Sequence, residues 1–469
     1  MHLRPYALAA VVAASAAVLD AAPAAAAPAP WRSHTCPNGL ELLVVEDHAL
    51  PLVTVEIAAK NGSMTEPPEY NGLSHLYEHM FFKANQAIPN QEQYLQRAHE
   101  LGMVWNGTTA TERVNYFFTT TSDHLHDSLV FMRDAIVSPL FDAKELERER
   151  VVVTGEIDRN EANPYYHLMH EVNAHAFYRY PSRKDPLGNR KTVLSATPEK
   201  MRTIQKRYYI PNNSVLVVTG DVSPEKVITD VDQLFSKWQK GDDPFKKYPL
   251  VHHPALKKRD VVVIEQKVQT FTGEIVWHGP STVGPTVSTT YAADVLGTAC
   301  DEPSSKFQKD LVDSGACVSA GLSWFTQSNT GPITLRFEAT PDKVDACVRA
   351  VAAELPKMRQ PGYLSDDEMR NAAHTIEVAE IQERERPSQY AHTLTFWWTS
   401  AGLDYYTRYV DNLKAVKQAD VARYLDTFVE DKPFVFGALV SPEMTKQGMN
   451  KAHFEKVFAD AFDKPAAAA

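Results

Sequence analysis

The stretch GLSHLYEHMFFKAN, residues 72–85, places two histidines and a glutamate within five positions of one another. His75, Glu78 and His79 stand at i, i+3 and i+4, so on a helix all three project from one stripe. Two imidazoles one turn apart can reach a zinc ion through ring nitrogens about 2.0–2.1 Å away, leaving room for a third ligand and a water. The glutamate between them neighbours that water, whose pKa zinc lowers to about 7, so Glu78 fits the role of general base. The order HxxEH reverses the commoner HExxH arrangement. Leu73, Leu76, Tyr77 and Met80 form the adjoining stripe and would pack the helix onto a core. The competing account is a surface helix with an Asn71 cap and a polar face, since chance alone can produce the pentapeptide.

A metal reading needs a third ligand. The tract AKELERERVVVTGEIDRNEANPYY, residues 143–166, offers Glu149 and Glu156, two helical turns apart on one face, with Val152 and Val153 expected between them on the buried side. The same acids also fit a solvated face salt-bridged to Arg148, Arg150 and Arg159. Spacing alone does not choose among Glu149, Glu156 and Glu161. His167, His170 and His175 lie just beyond, and are read as packing or surface histidines in preference to a second metal site.

The surrounding pattern defines the elements that must position these groups. LELLVVEDH and LPLVTVEIAAKNGS read as strands, and Asn71–Asn85 as a helix. A helix near Asn90–Leu101 follows, then strands within MVWNGTTATERVNYFFTTT, a helix over His124–Val137, the charged helix from Ala143, and a strand, turn and helix in NSVLVVTGDVSPEKVITDVDQLF. The order then recurs in the second half, where the VSPE of Val222–Glu225 reappears at Val440–Glu443. The pattern predicts an α+β chain of two homologous domains, 28–240 and 259–469, joined by a Pro- and charge-rich linker over 241–258.

Length and composition (469 residues, 44% hydrophobic, 23% charged) suit cored globular domains. Residues 1–27 have the charged start, short apolar run and small-residue end of a cleaved export signal, which predicts an exported, periplasmic protein with no membrane span after cleavage. A net charge of -11 argues against general nucleic-acid binding. Four cysteines are too few for a disulfide framework; Cys300, Cys317 and Cys347 allow one bridge or remain buried thiols, and Cys36 stands apart.

HLYEH, followed further along the chain by Glu156 within ERERVVVTGEI, resembles the insulinase/pitrilysin family of inverted-motif zinc peptidases, in a half-size form similar to subunits of mitochondrial processing peptidase. EHMFFKAN, YYIPNNSVLVVTGDVSPEKV and the second repeat extend the resemblance over nearly the whole chain after residue 27. It implies the metallohydrolase fold of that peptidase, with antiparallel-rich sheets covered by helices. It further implies one zinc ion per chain held by His75, His79 and Glu156, Glu78 as general base, and Glu149 as an acidic residue supporting the site. Asn106, Gly107 and Thr108 match the strand edge that receives peptide substrate in the family, although Gly107 stands where the family has alanine. Pairing with an open edge would recognise an extended peptide mainly through its backbone.

The pattern fails in the second domain. The family's Arg/Tyr pair, which helps bind substrate and stabilise the oxyanion, has no match in GLSWFTQSNTGPITLRFEAT, where Arg336 is the only arginine and no tyrosine occurs. Losing an oxyanion donor costs about two to three orders of magnitude in rate. The expectation is therefore a zinc endopeptidase acting on peptides or unfolded segments, whose second chain of the same fold supplies the missing pair in a heterodimer; a homodimer and a non-catalytic scaffold subunit are the alternatives.

Overall fold

A computed structural model describes residues 30–462 of the chain. The export signal expected over 1–27 lies outside the described residues. The first domain carries β1 (Arg32–Thr35), β2 (Glu41–Glu46), β3 (Leu52–Ala59), β4 (Val104–Thr109), β5 (Val114–Thr121) and β6 (Ser214–Gly220) in one sheet, ordered β1-β2-β6-β3-β5-β4. The second carries β7 (Asp260–Glu265), β8 (Phe271–His278), β9 (Ser319–Trp324), β10 (Pro332–Ala339) and β11 (Val435–Val440), ordered β7-β11-β8-β10-β9.

Apart from β1 the two sheets are copies of one topology. β2 runs parallel to β6 and β7 parallel to β11, while the remaining pairings in both sheets are antiparallel. β3 begins at Leu52 and its counterpart β8 at Phe271; β5 begins at Val114 and its counterpart β10 at Pro332, so nearly the same offset separates each pair. The duplicated α+β organisation expected from the sequence is therefore present in the strand order itself.

The two domains interlock by exchanging a helix. The Pro164–Ala176 helix of the first half lays Leu168, Val172 and Ala176 on Val262, Val276, Val435 and Leu439 of the second sheet. The approach is so close that a Cβ on Gly437 would lie 2.2 Å from Val172 and 2.6 Å from Leu168. Reciprocally, the Pro387–Ser400 helix of the second half packs on β3 and β6, joining Tyr390, Leu394 and Trp397 to a core that contains Leu43, Ala58, Val215 and Val217. Each buried aliphatic or aromatic side chain contributes about 1.5–3 kcal/mol. The fully buried Glu56 of β3 is met there by Thr395 Oγ1 (2.6 Å), Asn115 Nδ2 (2.8 Å) and the His392 ring.

Two local expectations change, and an open alternative among the cysteines is decided. The helix read over 71–85 spans Leu73–Phe81, and it is not capped by Asn71, whose amide donates to the carbonyls of Ser182 and Asp185. Along Ala143–Glu161 the buried line runs Leu146, Glu149, Val153 and Ile157, so Val152 falls beyond its edge and is 47% exposed. Cys317 and Cys347 form a disulfide, and Cys36 and Cys300 are buried free thiols.

Candidate metal centre

The Leu73–Phe81 helix is held from below by its apolar stripe. Leu73, Leu76, Tyr77, Met80 and Phe81 are all fully buried; Tyr77 stacks on Tyr209 at 4.1 Å and Phe81 on Tyr116 at 3.7 Å between ring centroids. Its N-terminus is satisfied by a carboxylate, since Glu66 accepts from the backbone N–H groups of Gly72 (2.8 Å) and Ser74 (2.6 Å). Burial pushes the Glu66 carboxyl up to about 7 against the opposing pull of those two donors. Gly72 has φ +87°, and a Cβ there would meet the Gly188 backbone at 2.8 Å, so the turn into the helix favours glycine on both counts.

With that face fixed, the polar stripe lies half-buried opposite the Ala143–Glu161 helix. His75 Nε2 lies 3.4 Å and His79 Nε2 3.7 Å from Glu156 Oε2, and these three ligand atoms fall within 4.8 Å of one another. Glu149 stands behind them: its Oε2 is 3.0 Å from His79 Nδ1 and its Oε1 is 2.7 Å from Lys83 Nζ. A proton on Nδ1 shared with Glu149 leaves the Nε2 lone pair of His79 facing Glu156, the arrangement that orients metal-binding imidazoles. Burial, then the neighbouring His79, pulls the His75 imidazole down to about 4, so it is neutral and able to ligate at physiological pH. Burial acts to raise Glu149, but hydrogen bonds from His79 and Lys83 outweigh it and keep the carboxyl below its usual range. Two imidazole nitrogens and one carboxylate, converging and backed by a buried carboxylate, fit a zinc ion with a position left open.

Glu78 is on the same stripe but faces β4. Its Oε2 accepts a 2.6 Å hydrogen bond from Thr109 Oγ1, and burial raises its carboxyl above the usual range despite that bond. β4 pairs only with β5, so its other edge is open among the described residues. Trp105, Gly107 and Thr109 face the helix, with Trp105 stacked on Phe82 at 4.6 Å. A Cβ on Gly107 would come within 2.9 Å of Glu78 Cγ, so glycine leaves the space that Glu78 occupies. Asn106 and Thr108 alternate to the exposed side, and the Asn106 side-chain oxygen accepts from the Gly107 N–H at 2.9 Å. A cavity of about 680 Å³ opens beside His75 and Thr109, walled by Tyr166, His170 and Lys184.

His167, His170 and His175 do not converge. His167 meets the Glu161 carbonyl (2.7 Å), His170 lies 3.8 Å from Asp185, and His175 pairs with Asp260 (2.6 Å). In the second half, Arg336 is engaged by Glu274 at 2.8 Å. The loop before β10 is fastened to the first domain: Glu112 accepts from the N–H groups of Ser328 (2.8 Å) and Asn329 (3.0 Å), and half-buried Lys184 donates to Gln327 and to the Asn329 and Thr330 carbonyls.

Sequence reasoning missed Thr109, Lys83 and Glu66, which hold Glu78, Glu149 and the helix start. Thr109 carried a signal, because it adjoins the strand-edge pattern of Asn106, Gly107 and Thr108. Lys83 and Glu66 carried none, since only the folded chain brings them to their partners.

Two family models match the chain: "Insulinase (Peptidase family M16)" over residues 42–189 and "Peptidase M16 inactive domain" over 195–376. An uncharacterized zinc protease of Bacillus subtilis, YmxG, is 28% identical over 230 residues, 49% of this chain and 56% of that protein. The chain thus spans about half the length of that relative. Among solved structures, a protease from Helicobacter pylori superposes with TM-score 0.79 at 21% identity, covering 87% of this chain and 99% of the other. The periplasmic protease PqqL from Escherichia coli superposes with TM-score 0.76 at 17% identity, covering 95% of this chain and 52% of that one. These likenesses establish the two-domain fold.

Proposed function

The chain belongs to the insulinase family of peptidases, and from that premise we propose that it is a zinc endopeptidase acting on peptides or unfolded segments, the metal-bearing chain of a two-chain enzyme. The observation that carries the reading is the convergence of His75 Nε2, His79 Nε2 and a Glu156 oxygen within 4.8 Å, with Glu78 on the same helix face.

One zinc ion held by His75, His79 and Glu156 would supply a Lewis acid that lowers the pKa of water to about 7 and stabilises developing negative charge. Glu149 fixes the His79 ring through Nδ1, and Lys83 fixes Glu149. Glu78, anchored by Thr109, takes a proton from the attacking water and returns it to the leaving amine; its raised pKa suits both transfers. An extended peptide adds to the open edge of β4 along Asn106, Gly107 and Thr108, which brings a backbone carbonyl toward Glu78.

A second chain of the same fold supplies the Arg/Tyr pair absent here. PqqL supports this division, because the present chain matches 52% of that longer one. The segment over 1–27 supports export to the periplasm.

Metal analysis on each ligand variant tests the assignment. His75→Ala, His79→Ala and Glu156→Ala are each expected to remove one equivalent of zinc, while Glu161→Ala removes none; unchanged zinc in the histidine variants would overturn it. Addition of a purified second chain carrying the Arg/Tyr pair is expected to raise cleavage by about two to three orders of magnitude. Full activity from this chain alone would overturn the two-chain reading.

A further inference from the structure

On the far edge of the first sheet, three donors of different chemistry meet away from the HxxEH helix. His34 lies on β1, Cys36 begins the turn into β2, and Asp232 is in the last turn of the Pro224–Leu234 helix. His34 and Cys36 alternate with Thr35 on extended backbone, so both side chains point to the same side, toward that helix. His34 Nε2 lies 3.0 and 3.1 Å from the two Asp232 oxygens, and one ligand atom from each of His34, Cys36 and Asp232 falls within 4.8 Å of the others. The thiol is on the buried side, with Cys36 only 4% exposed, whereas the His34 and Asp232 side chains remain 29% and 33% exposed. The trio therefore has a dry sulfur at its base and an opening to solvent above it.

We propose that His34, Cys36 and Asp232 form a second zinc site, distinct from the HxxEH centre, with water as its fourth ligand. Thiolate, imidazole and carboxylate together suit zinc, and its tetrahedral preference takes all three at about 2.0–2.3 Å. As a zinc ligand Cys36 would serve as the thiolate, giving up its proton when the metal binds. The site's work is structural. It joins β1, which pairs only with β2 among the described residues, to the Pro224–Leu234 helix beside the exposed Arg32–Glu225 ion pair, while the Asn38 amide on the Phe235 and Trp238 carbonyls ties the following turn to the chain just past that helix.

Cobalt substitution of the full chain separates the two centres, because Cys36 is the only thiol in either. Cobalt-loaded protein is expected to show a near-ultraviolet thiolate-to-cobalt charge-transfer band. That band should persist in His75→Ala/His79→Ala, vanish in Cys36→Ser, and weaken in Asp232→Asn, which retains the thiol should Cys36→Ser fail to fold. Zinc analysis should give two equivalents for the wild type and one for His75→Ala/His79→Ala, falling to none when Cys36→Ser is added. A cobalt-loaded chain with no charge-transfer band, or a His75→Ala/His79→Ala variant devoid of zinc, would overturn the second site. A wild type holding one equivalent that His75→Ala/His79→Ala retains would support the second site and overturn the first.

Discussion

Glu149 and Glu156 show how two carboxylates on one helix acquire different tasks. Glu156, partly exposed, faces the two histidine Nε2 atoms, while buried Glu149 is held by His79 Nδ1 and Lys83. Removing a partner that orients a ligand costs about 10–100-fold in metal affinity, so Glu149→Gln is expected to weaken zinc binding by that factor without abolishing it, as measured by competition with a chelator. The 149/156 spacing was legible in the sequence, but the choice between the two required the resemblance, because charge and helical periodicity treat them alike. Glu66 was not legible at all: it lies in the loop before the helix it caps and looks like one more acid there. Its raised pKa has a thermodynamic sign. The folded state holds the proton more tightly than the unfolded chain, so the Glu66 contribution to stability is greatest below about pH 4.5 and falls as pH rises through 7. Relative to wild type, Glu66→Gln should therefore gain roughly 3 kcal/mol between about pH 4.5 and about pH 8 in urea unfolding; a pH-independent difference would contradict the cause given for the shift.

At the scale of elements, β4 is the decisive strand. It is an edge whose inward positions, Trp105, Gly107 and Thr109, pack on the Leu73–Phe81 helix, and whose outer backbone is open among the described residues. Gly107→Val would drive a side chain into the Glu78 carboxylate, and is expected to lower turnover at least tenfold while leaving zinc content unchanged. If substrate adds as a strand, peptides N-methylated at alternate residues should be cut far more slowly than their parents; equal rates would remove strand addition. Periodicity located the strands because alternation and turn residues are local signals. It could not pair Thr109 with Glu78, since that contact depends on how β4 sits against a helix that ends well before it in the chain. The Cys317–Cys347 bridge, closing 30 residues between the turn before β9 and the Val344–Met358 helix, was one of several arrangements open to the sequence. In the chain-entropy account its loss costs about 3–4 kcal/mol, which equilibrium unfolding of Cys317→Ser/Cys347→Ser would register.

Across the whole molecule, duplication was readable from the recurring order of elements, while the reciprocal exchange of helices was not. Nothing local in Pro164–Ala176 or Pro387–Ser400 says that each covers the other domain's sheet. Because each sheet leans on a helix from the other half, the chain is expected to unfold in one calorimetric transition; two resolved transitions would mean that the interlock is weak. The same interlock, with Lys184 and Glu112 gripping the Gln327–Thr330 loop, holds the second domain against the first. The proposed chemistry rests on Glu78 and a zinc ion bound beside it. The most direct measurement is hydrolysis of an unstructured polypeptide by zinc-loaded wild type and Glu78→Gln, each with the partner chain present and with chelator as control. The expected result is chelator-sensitive cleavage by the wild type and at least a hundredfold loss in Glu78→Gln at unchanged zinc content. Cleavage that survives Glu78→Gln or the chelator would contradict the account.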